Sequence, residues 1–316
     1  MTKKETLLKQ FFNYGLFLMA RIFFILARFL PYKLIVPMGR GFGVLAFFLF
    51  FGKHKKIAYK NMDIIFNGSL SWLQKRVLMF KSFKEVGSNI FAVCNAERVK
   101  ERIDDWFEIE GYEHIQTLLD KKFGFITVSI HMGLFMLAFS KLQALRMDVY
   151  YTIRSPRNDH MAKLFFNYMA RIGVKFILDK PKYQCVMNNL KAIRQGSIPI
   201  ILTDVKHNPE DGIWTEFLGW RVLSFAGAAL LAKRVKRPIV PFVIIKKNNK
   251  FVIKFFKAID VTQESDAEKI TQKYTNVLER FVIEYPEQWW WFHDRFRGKK
   301  PIENLEAESG RKHVFK

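Results

Sequence analysis

The sequence predicts an α/β protein, a mixed central sheet flanked by helices, with an N-terminal membrane-associated helix. Three observations predict it. From Gly111 onward, short runs rich in β-branched and aromatic residues alternate with longer segments of helical period, as strands alternate with their crossovers. Half of the 316 residues are apolar and no Pro- or Gly-rich linker divides them, so the chain can bury a large core. The N-terminal stretch, by contrast, is apolar with isolated arginines and ends in a basic cluster.

That stretch begins with "FFNYGLFLMARIFFILARFL" (Phe11–Leu30), apolar except for Asn13, Arg21 and Arg28. The two arginines are seven apart and project from nearly the same side of a helix. A narrow basic stripe on an apolar helix suits one lying among headgroups, or one inserted with its arginines snorkelling. "GFGVLAFFLFF" (Gly41–Phe51) is too short alone to cross about 30 Å of hydrocarbon. "GKHKKIAYK" follows it as a cationic patch matched to anionic lipid heads. Arginines interrupt the apolar run and no small-residue cleavage site follows, so a removed signal peptide is not expected. The competing reading is a pair of core helices in a soluble enzyme. The expected organisation is a membrane-anchoring region at 1–56, an α/β domain at 57–300 and a polar basic tail at 301–316.

Tyr59 to Glu110 reads as helical, with Ser69 or Ser71 as a cap. Strands are expected at Phe123–Ile130, Met147–Ile153, Val174–Leu178, Ser197–Thr203, Pro238–Ile245 and Lys250–Phe256. Helices are expected between them at Gly133–Leu145, His160–Ile172, Tyr183–Gln195 and Phe225–Val235. The last two strands, split by "KKNNK", read as a hairpin, and a closing helix spans Ser265 to Glu284.

The 52 basic against 29 acidic side chains leave a formal charge of +23, which implies a polyanionic partner: nucleic acid, an anionic bilayer or an acidic carrier protein. A nucleic-acid-binding module would interleave basic and aromatic residues on a solvent-facing surface. Here the most apolar part is N-terminal and helical, so nucleic acid is not expected as a partner. Cys94 and Cys185 form no framework or metal spacing, which fits a reducing, cytosol-facing compartment.

Candidate chemistry clusters where strands end and helices begin. His131 follows the uncharged run "FGFITVSI" and precedes a helix opened by Gly133; it is either a proton acceptor or a satisfied core histidine. "TIRSPRNDH" places Arg154 and Arg157 past the next strand, where guanidinium groups clamp phosphate or stabilise an oxyanion, unless they are ordinary surface arginines. "ILTDVKHNPEDG" puts Asp204 directly after a third strand, then Lys206 and His207. A carboxylate there can orient an imidazole on a neighbouring strand, or simply cap a turn. No phosphate loop ending in GK[ST], GxGxxG after a strand, GxSxG elbow, HExxH or metal spacing occurs, so no cofactor or metal is expected.

These residues resemble a known family, the lipid A late acyltransferases of the lauroyl/myristoyl type, within the lysophospholipid and glycerol-phosphate acyltransferase superfamily. "YPEQWWWFHDRFR" (Tyr285–Arg297) is the most specific match. "IRSPRN" is similar to the family's Tyr-Arg-Pro block, with Arg154 and Asn158 in its arginine and asparagine places. "ILTDVKH" resembles the strand that ends in an aspartate, here Asp204, and Phe217–Gly219 with Pro238–Pro241 match a further segment. The family motif is His, four residues, then Asp or Glu. "HMGLFM" keeps His131 and Gly133 but has Met136 in the acidic place, and no Asp or Glu lies between Lys121 and Met147.

A thioether cannot hold an imidazolium. Either another carboxylate replaces it, Asp204 first with Glu210, Asp211 or Glu216 behind, or the chain is a catalytically impaired, lipid-binding relative. The resemblance implies an O-acyltransferase at the bacterial inner (cytoplasmic) membrane, its catalytic domain facing the cytoplasm. Its donor would be a fatty acyl thioester on acyl carrier protein, its acceptor a phosphorylated glycolipid such as a lipid A precursor, or another phospholipid or glycolipid. His131 would be the base, Arg154 or backbone amides would meet the oxyanion, and Gly133, Arg157, Asn158 and Lys206 would contact substrate. Anionic inner-membrane lipid is the third partner. Trp289–Trp291 reads as interfacial anchors or as a lid on the core with Glu287 and Arg295 as partners.

Overall fold

The computed structural model describes residues 3–50, 52–156, 158–205, 207, 212–264 and 266–301. The N-terminal part is helical: α1 (Lys3–Arg28), α2 (Ile35–Leu49), α3 (Lys53–Ile65), α4 (Trp72–Cys94) and the short α5 (Ala96–Glu101) and α6 (Ile103–Trp106). The α/β part follows as β1 (Phe107–Glu110), α7 (Glu113–Asp120), β2 (Ile126–Ser129), α8 (Phe135–Ala144), β3 (Val149–Ile153), α9 (Asp159–Arg171), β4 (Phe176–Leu178), α10 (Lys182–Arg194) and β5 (Ile198–Leu202). It ends with β6 (Gly212–Phe217), β7 (Trp220–Phe225), α11 (Gly227–Val235), β8 (Ile239–Lys247), β9 (Lys250–Phe255) and α12 (Ala267–Glu284).

Seven strands form one mixed sheet in the order β1-β9-β8-β2-β5-β3-β4. All neighbouring pairs are parallel except β8 with β9, joined by the expected hairpin. Parallel strands carry helices on both faces, so their inner strands are apolar throughout. Every residue of β2, "ITVS", is buried. One apolar cluster lies on each face: Phe139, Leu142, Phe242 and Phe107 belong to the first, Ile126, Val243, Tyr274 and Trp291 to the second. The crossovers put β2 and β5 side by side, with Ser129 opposite Leu202, so the residues that follow both strands emerge at one mouth.

Two features depart from the sequence expectation. The helical reading of Tyr59 to Glu110 is broken by the left-handed pair Asn67–Gly68, and Ser71, with Gln74, caps the new helix α4. Its last residues, Phe107–Glu110, are an edge strand instead, paired with β9. Four residues carry too little alternation to announce a strand whose partner is far along the chain. The hairpin β6–β7 was likewise not expected. Its two-residue turn, Leu218-Gly219, has positive φ at both positions, the geometry usually met by Asn-Gly.

The second apolar run is longer as a helix than expected, starting at Ile35, and among the described residues Tyr32–Leu49 is long and apolar enough by composition to cross a membrane. Yet α2 is not free. Its Ile35, Gly39, Gly43 and Phe47 face is buried against α4. A Cβ on Gly39 would lie 2.7 Å from the Gly87 carbonyl oxygen, and one on Gly87 would lie 2.8 Å from the Gly43 Cα. The two backbones touch because neither helix has side chains at the crossing.

That contact predicts a graded response. Gly87→Ala drives a methyl into backbone that cannot yield and lowers stability by about 1–3 kcal/mol. Gly41→Ala, whose Cβ meets nothing within 4 Å, is neutral or gains roughly 0.5–1 kcal/mol from helix propensity. Thermal midpoints in detergent, measured side by side, check the pair.

Candidate active site

The mouth of β2 and β5 brings together two of the residues singled out by sequence. His131 Nδ1 lies 2.7 Å from Asp204 Oδ1, and the His131 backbone N–H donates to Asp204 Oδ2 at 3.0 Å. The indole N–H of Trp289 donates to the same Oδ2 at 2.8 Å. The Asp204 side chain is wholly buried, whereas the imidazole keeps 18% of its surface open. Asp204 thus occupies one imidazole nitrogen and leaves Nε2 to face whatever enters.

Burial alone would raise the Asp204 carboxyl. The charge and hydrogen bond of His131, the nearby His293 and the Trp289 indole outweigh it and hold the group well below the usual carboxylate range. Asp204 is therefore an anion, and an anion facing Nδ1 fixes the tautomer with the proton on that side.

The C-terminal segment completes the frame. Trp290 N–H donates to the His131 carbonyl at 2.9 Å, Gly133 N–H donates to the Gln288 carbonyl at 3.2 Å, and Met132 pairs with Trp289 as an antiparallel bridge. Trp289 and Trp291 are 1% and 0% exposed, so they belong to the core. Arg295, also buried, donates to the carbonyls of Leu223 (2.7 Å) and Val205 (3.3 Å) and to Ser224 Oγ (2.6 Å). Burial lowers its pKa to about 10, so it stays charged, with the Asp204 carboxylate opposing the shift.

His293 was not among the expected site residues. Its ring meets that of His131 edge-on at 4.7 Å, and burial, helped by the His131 charge, pushes it down to about 4. It is a neutral wall of the site at neutral pH. The signal was its place just after the Trp run, inside the most specific stretch of the C-terminus. The buried Asn61 of α3 holds that stretch by donating to the Trp291 and His293 carbonyls at 2.9 and 2.7 Å.

Other expected residues sit elsewhere. Gly133 adopts φ +59°, and a Cβ there would come 2.6 Å from the Ile244 carbonyl oxygen, so it lets the His131 turn close onto β8. Arg154, at the mouth of β3, pairs with Asp179 at 2.8 Å with its side chain 75% exposed. In the sheet, β5 lies between the strand that leads to His131 and the one that leads to Arg154. Asn158 caps α9, accepting from the N–H groups of His160 and Met161 and donating to the Asn13 carbonyl of α1. His207 stacks on Phe225 with centroids 4.8 Å apart. Arg157, Lys206, Glu210 and Asp211 lie outside the described residues, and Glu216 is exposed on β6. Met136 is half-buried in the first turn of α8, packed on the core. Among the described residues no group of three His, Cys, Asp or Glu is placed to hold a metal ion.

A mixed α/β sheet, a histidine–carboxylate pair at its strand mouths and an apolar helical N-terminus together belong to the membrane-associated acyltransferases. The comparisons agree at the level of family. The model of the bacterial lipid A biosynthesis acyltransferases matches residues 1–298, and the chain belongs to that family. It is 26% identical over 277 residues to the lipid A biosynthesis lauroyltransferase of Escherichia coli, covering 85% of this chain and 87% of that protein. It is 20% identical over 275 residues to the palmitoleoyltransferase of the same organism and to a lipid A biosynthesis acyltransferase of Shigella flexneri, covering 85% of this chain and 86% of each. Among solved structures, the 1-acyl-sn-glycerophosphate acyltransferase PlsC of Thermotoga maritima aligns at a TM-score of 0.39 with 16% identity, covering 79% of this chain and 99% of that one.

Two depressed pKa values make folding sensitive to acid. The Asp204 contribution is fully present above the ordinary aspartate value of about 3.9 and is lost as pH falls through its lower folded value. The His293 contribution is present above the ordinary imidazole value of about 6.5. It declines as pH falls toward the folded value of about 4, because the unfolded chain takes the proton first. The thermal unfolding midpoint in detergent should therefore fall from pH 6.5 to 4, and His293→Gln should flatten part of that slope.

Proposed function

We propose that the chain is an O-acyltransferase that moves a fatty acyl group from acyl carrier protein to a hydroxyl of a lipid A precursor or a closely related phosphorylated glycolipid. The observation that carries this reading is the His131–Asp204 pair, built across two strands although the family's local acid is replaced by Met136. Asp204 does what that acid would do: it fixes the tautomer and bears the imidazolium that forms. His131 Nε2 takes the acceptor hydroxyl proton, and the oxygen attacks the thioester carbonyl. A C–O bond forms, the C–S bond breaks, and the thiolate leaves with the proton returned by His131.

Arg154, exposed at the mouth of β3, suits an acceptor phosphate, with Arg157 and Asn158 beside it in sequence and Lys206 two residues after Asp204. Phe135, whose ring packs edge-on against His131 at 5.1 Å, and Met136 would border the acyl chain. A formal charge of +23 favours approach of an acidic carrier and of an anionic inner leaflet, with the α/β part on the cytoplasmic side. A lipid-binding relative without catalysis is the second reading, motivated by Met136.

The test uses acyl-carrier-protein thioesters and a panel of lipid acceptors, with products identified by mass. His131→Ala should reduce turnover by about 10²–10⁴-fold. Asp204→Asn, which keeps the shape but reverses the hydrogen-bond preference, should cost on the order of 10⁴-fold. Unchanged turnover in the His131 variant would sink the mechanism, and loss with His131→Ala alone would move the orienting role to another acid.

A further inference from the structure

The exposed apolar surface of the helical N-terminal part continues past residues 1–56, the region to which the sequence assigns the membrane. Trp72 and Leu73, in the first turn of α4, are 65% and 63% exposed, and Val77 follows one turn later, also exposed. Alone they would be an odd start for a capped, water-facing helix. They are not alone. Phe47, at the end of α2, is a hub: Phe80 of α4 meets it edge-on at 5.4 Å, Lys55 of α3 sits 4.3 Å over its ring, and Arg76 lies 5.7 Å from it and 5.1 Å from the Trp72 ring. Around this hub Phe48, Leu49 and Phe50 project on the α2 side as Trp72, Leu73 and Val77 do on the α4 side. Lys53 and Lys56, exposed at the start of α3, add cations to the same corner.

We propose that this corner, with the first turn of α4 as its leading edge, is a docking surface for an anionic lipid bilayer. It deepens the membrane part of the proposed function without depending on the reaction. Tryptophan and phenylalanine flanked by lysine and arginine are the side chains that settle at a headgroup boundary, apolar ends inward and charges at phosphate level. The surface is continuous with the exposed face of α2, which supplies Met38 and Leu45. It also constrains α2. Tyr32–Leu49 is apolar enough to cross a membrane, but the glycine face of α2 is sealed against α4, whose Lys75, Arg76, Lys81, Lys84 and Glu85 keep it from following into the hydrocarbon. α2 therefore lies along the bilayer with α4 beside it, and Trp72, Leu73 and Val77 enter the same leaflet.

The full chain is tested on vesicles of phosphatidylcholine with and without phosphatidylglycerol, with no substrate present. Replacing Trp72, Leu73 and Val77 together by serine should lower the vesicle-bound fraction about tenfold or more, since their apolar burial is lost. Lys56→Gln and Arg76→Gln should each weaken binding about fivefold, and only where phosphatidylglycerol is present. Independently, Leu73→Cys in a Cys185→Ser background, labelled with a polarity-sensitive dye, should shift to the blue on vesicles and be quenched by lipids brominated in the acyl chain.

A dye at position 73 that stays in water on vesicles overturns the proposal. So does one that responds to an acidic carrier protein without lipid, or a serine variant whose main change is dissociation from dimer to monomer. Acyl transfer is read separately, so failure of either reading leaves the other standing.

Discussion

A carboxylate shut away from water is the constraint on which the site depends. An uncompensated ion in the interior costs several kcal/mol, so Asp204 is tolerable only if its lone pairs are filled. The donors that fill them come from the end of β2 and from the segment after α12. Bringing them to one atom pair joins three stretches far apart in sequence. The backbone bonds from Trp290 to His131 and from Gly133 to Gln288 then act as a second clasp beside the first. Arg295 ties the chain just beyond Asp204 to β7, and its buried charge offsets that of the aspartate.

The same frame reaches toward the N-terminal helices. Asn61 lies on α3, the helix whose first turn is rich in lysine, and its amide grips the carbonyls on either side of Phe292. Phe292 in turn packs edge-on against Phe83 of α4. The lysine-rich helix α3 and the segment that walls His131 thus share a few packed side chains. The glycine crossing of α2 and α4 keeps that relation rigid, because two backbones in contact leave no slack for sliding.

Much of the fold was legible because its signals are local. Apolar runs bounded by helical segments announce β2, β3, β5 and β8, and their alternation with helices implies parallel neighbours. β1 was hidden because four residues hold almost no periodicity, and their partner strand comes near the end of the chain. The β6–β7 hairpin was hidden by Leu218, a residue that rarely accepts positive φ. For the site, sequence could name His131 and favour Asp204 as its acid over Glu210, Asp211 and Glu216, but the choice needs β2 beside β5, and strand order is a property of the assembled sheet. It undervalued His293, whose relevance comes only from the clasp that lays Trp289 and Trp290 along His131. Arg154 and Asn158, in motif-like places, also make an ion pair with Asp179 and a cap for α9 that the sequence does not announce.

The clasp also sets an order of events during synthesis. A ribosome delivers the apolar N-terminal helices first, then the strand leading to His131, then the one leading to Asp204, and only near the end the tryptophans that close over both. Until Trp289 emerges, the aspartate lacks one of its donors and the histidine its backbone partner. A nascent chain can settle on its membrane long before it owns a finished reaction centre, so assembly of the enzyme's chemistry waits for arrival at the place where its substrates are.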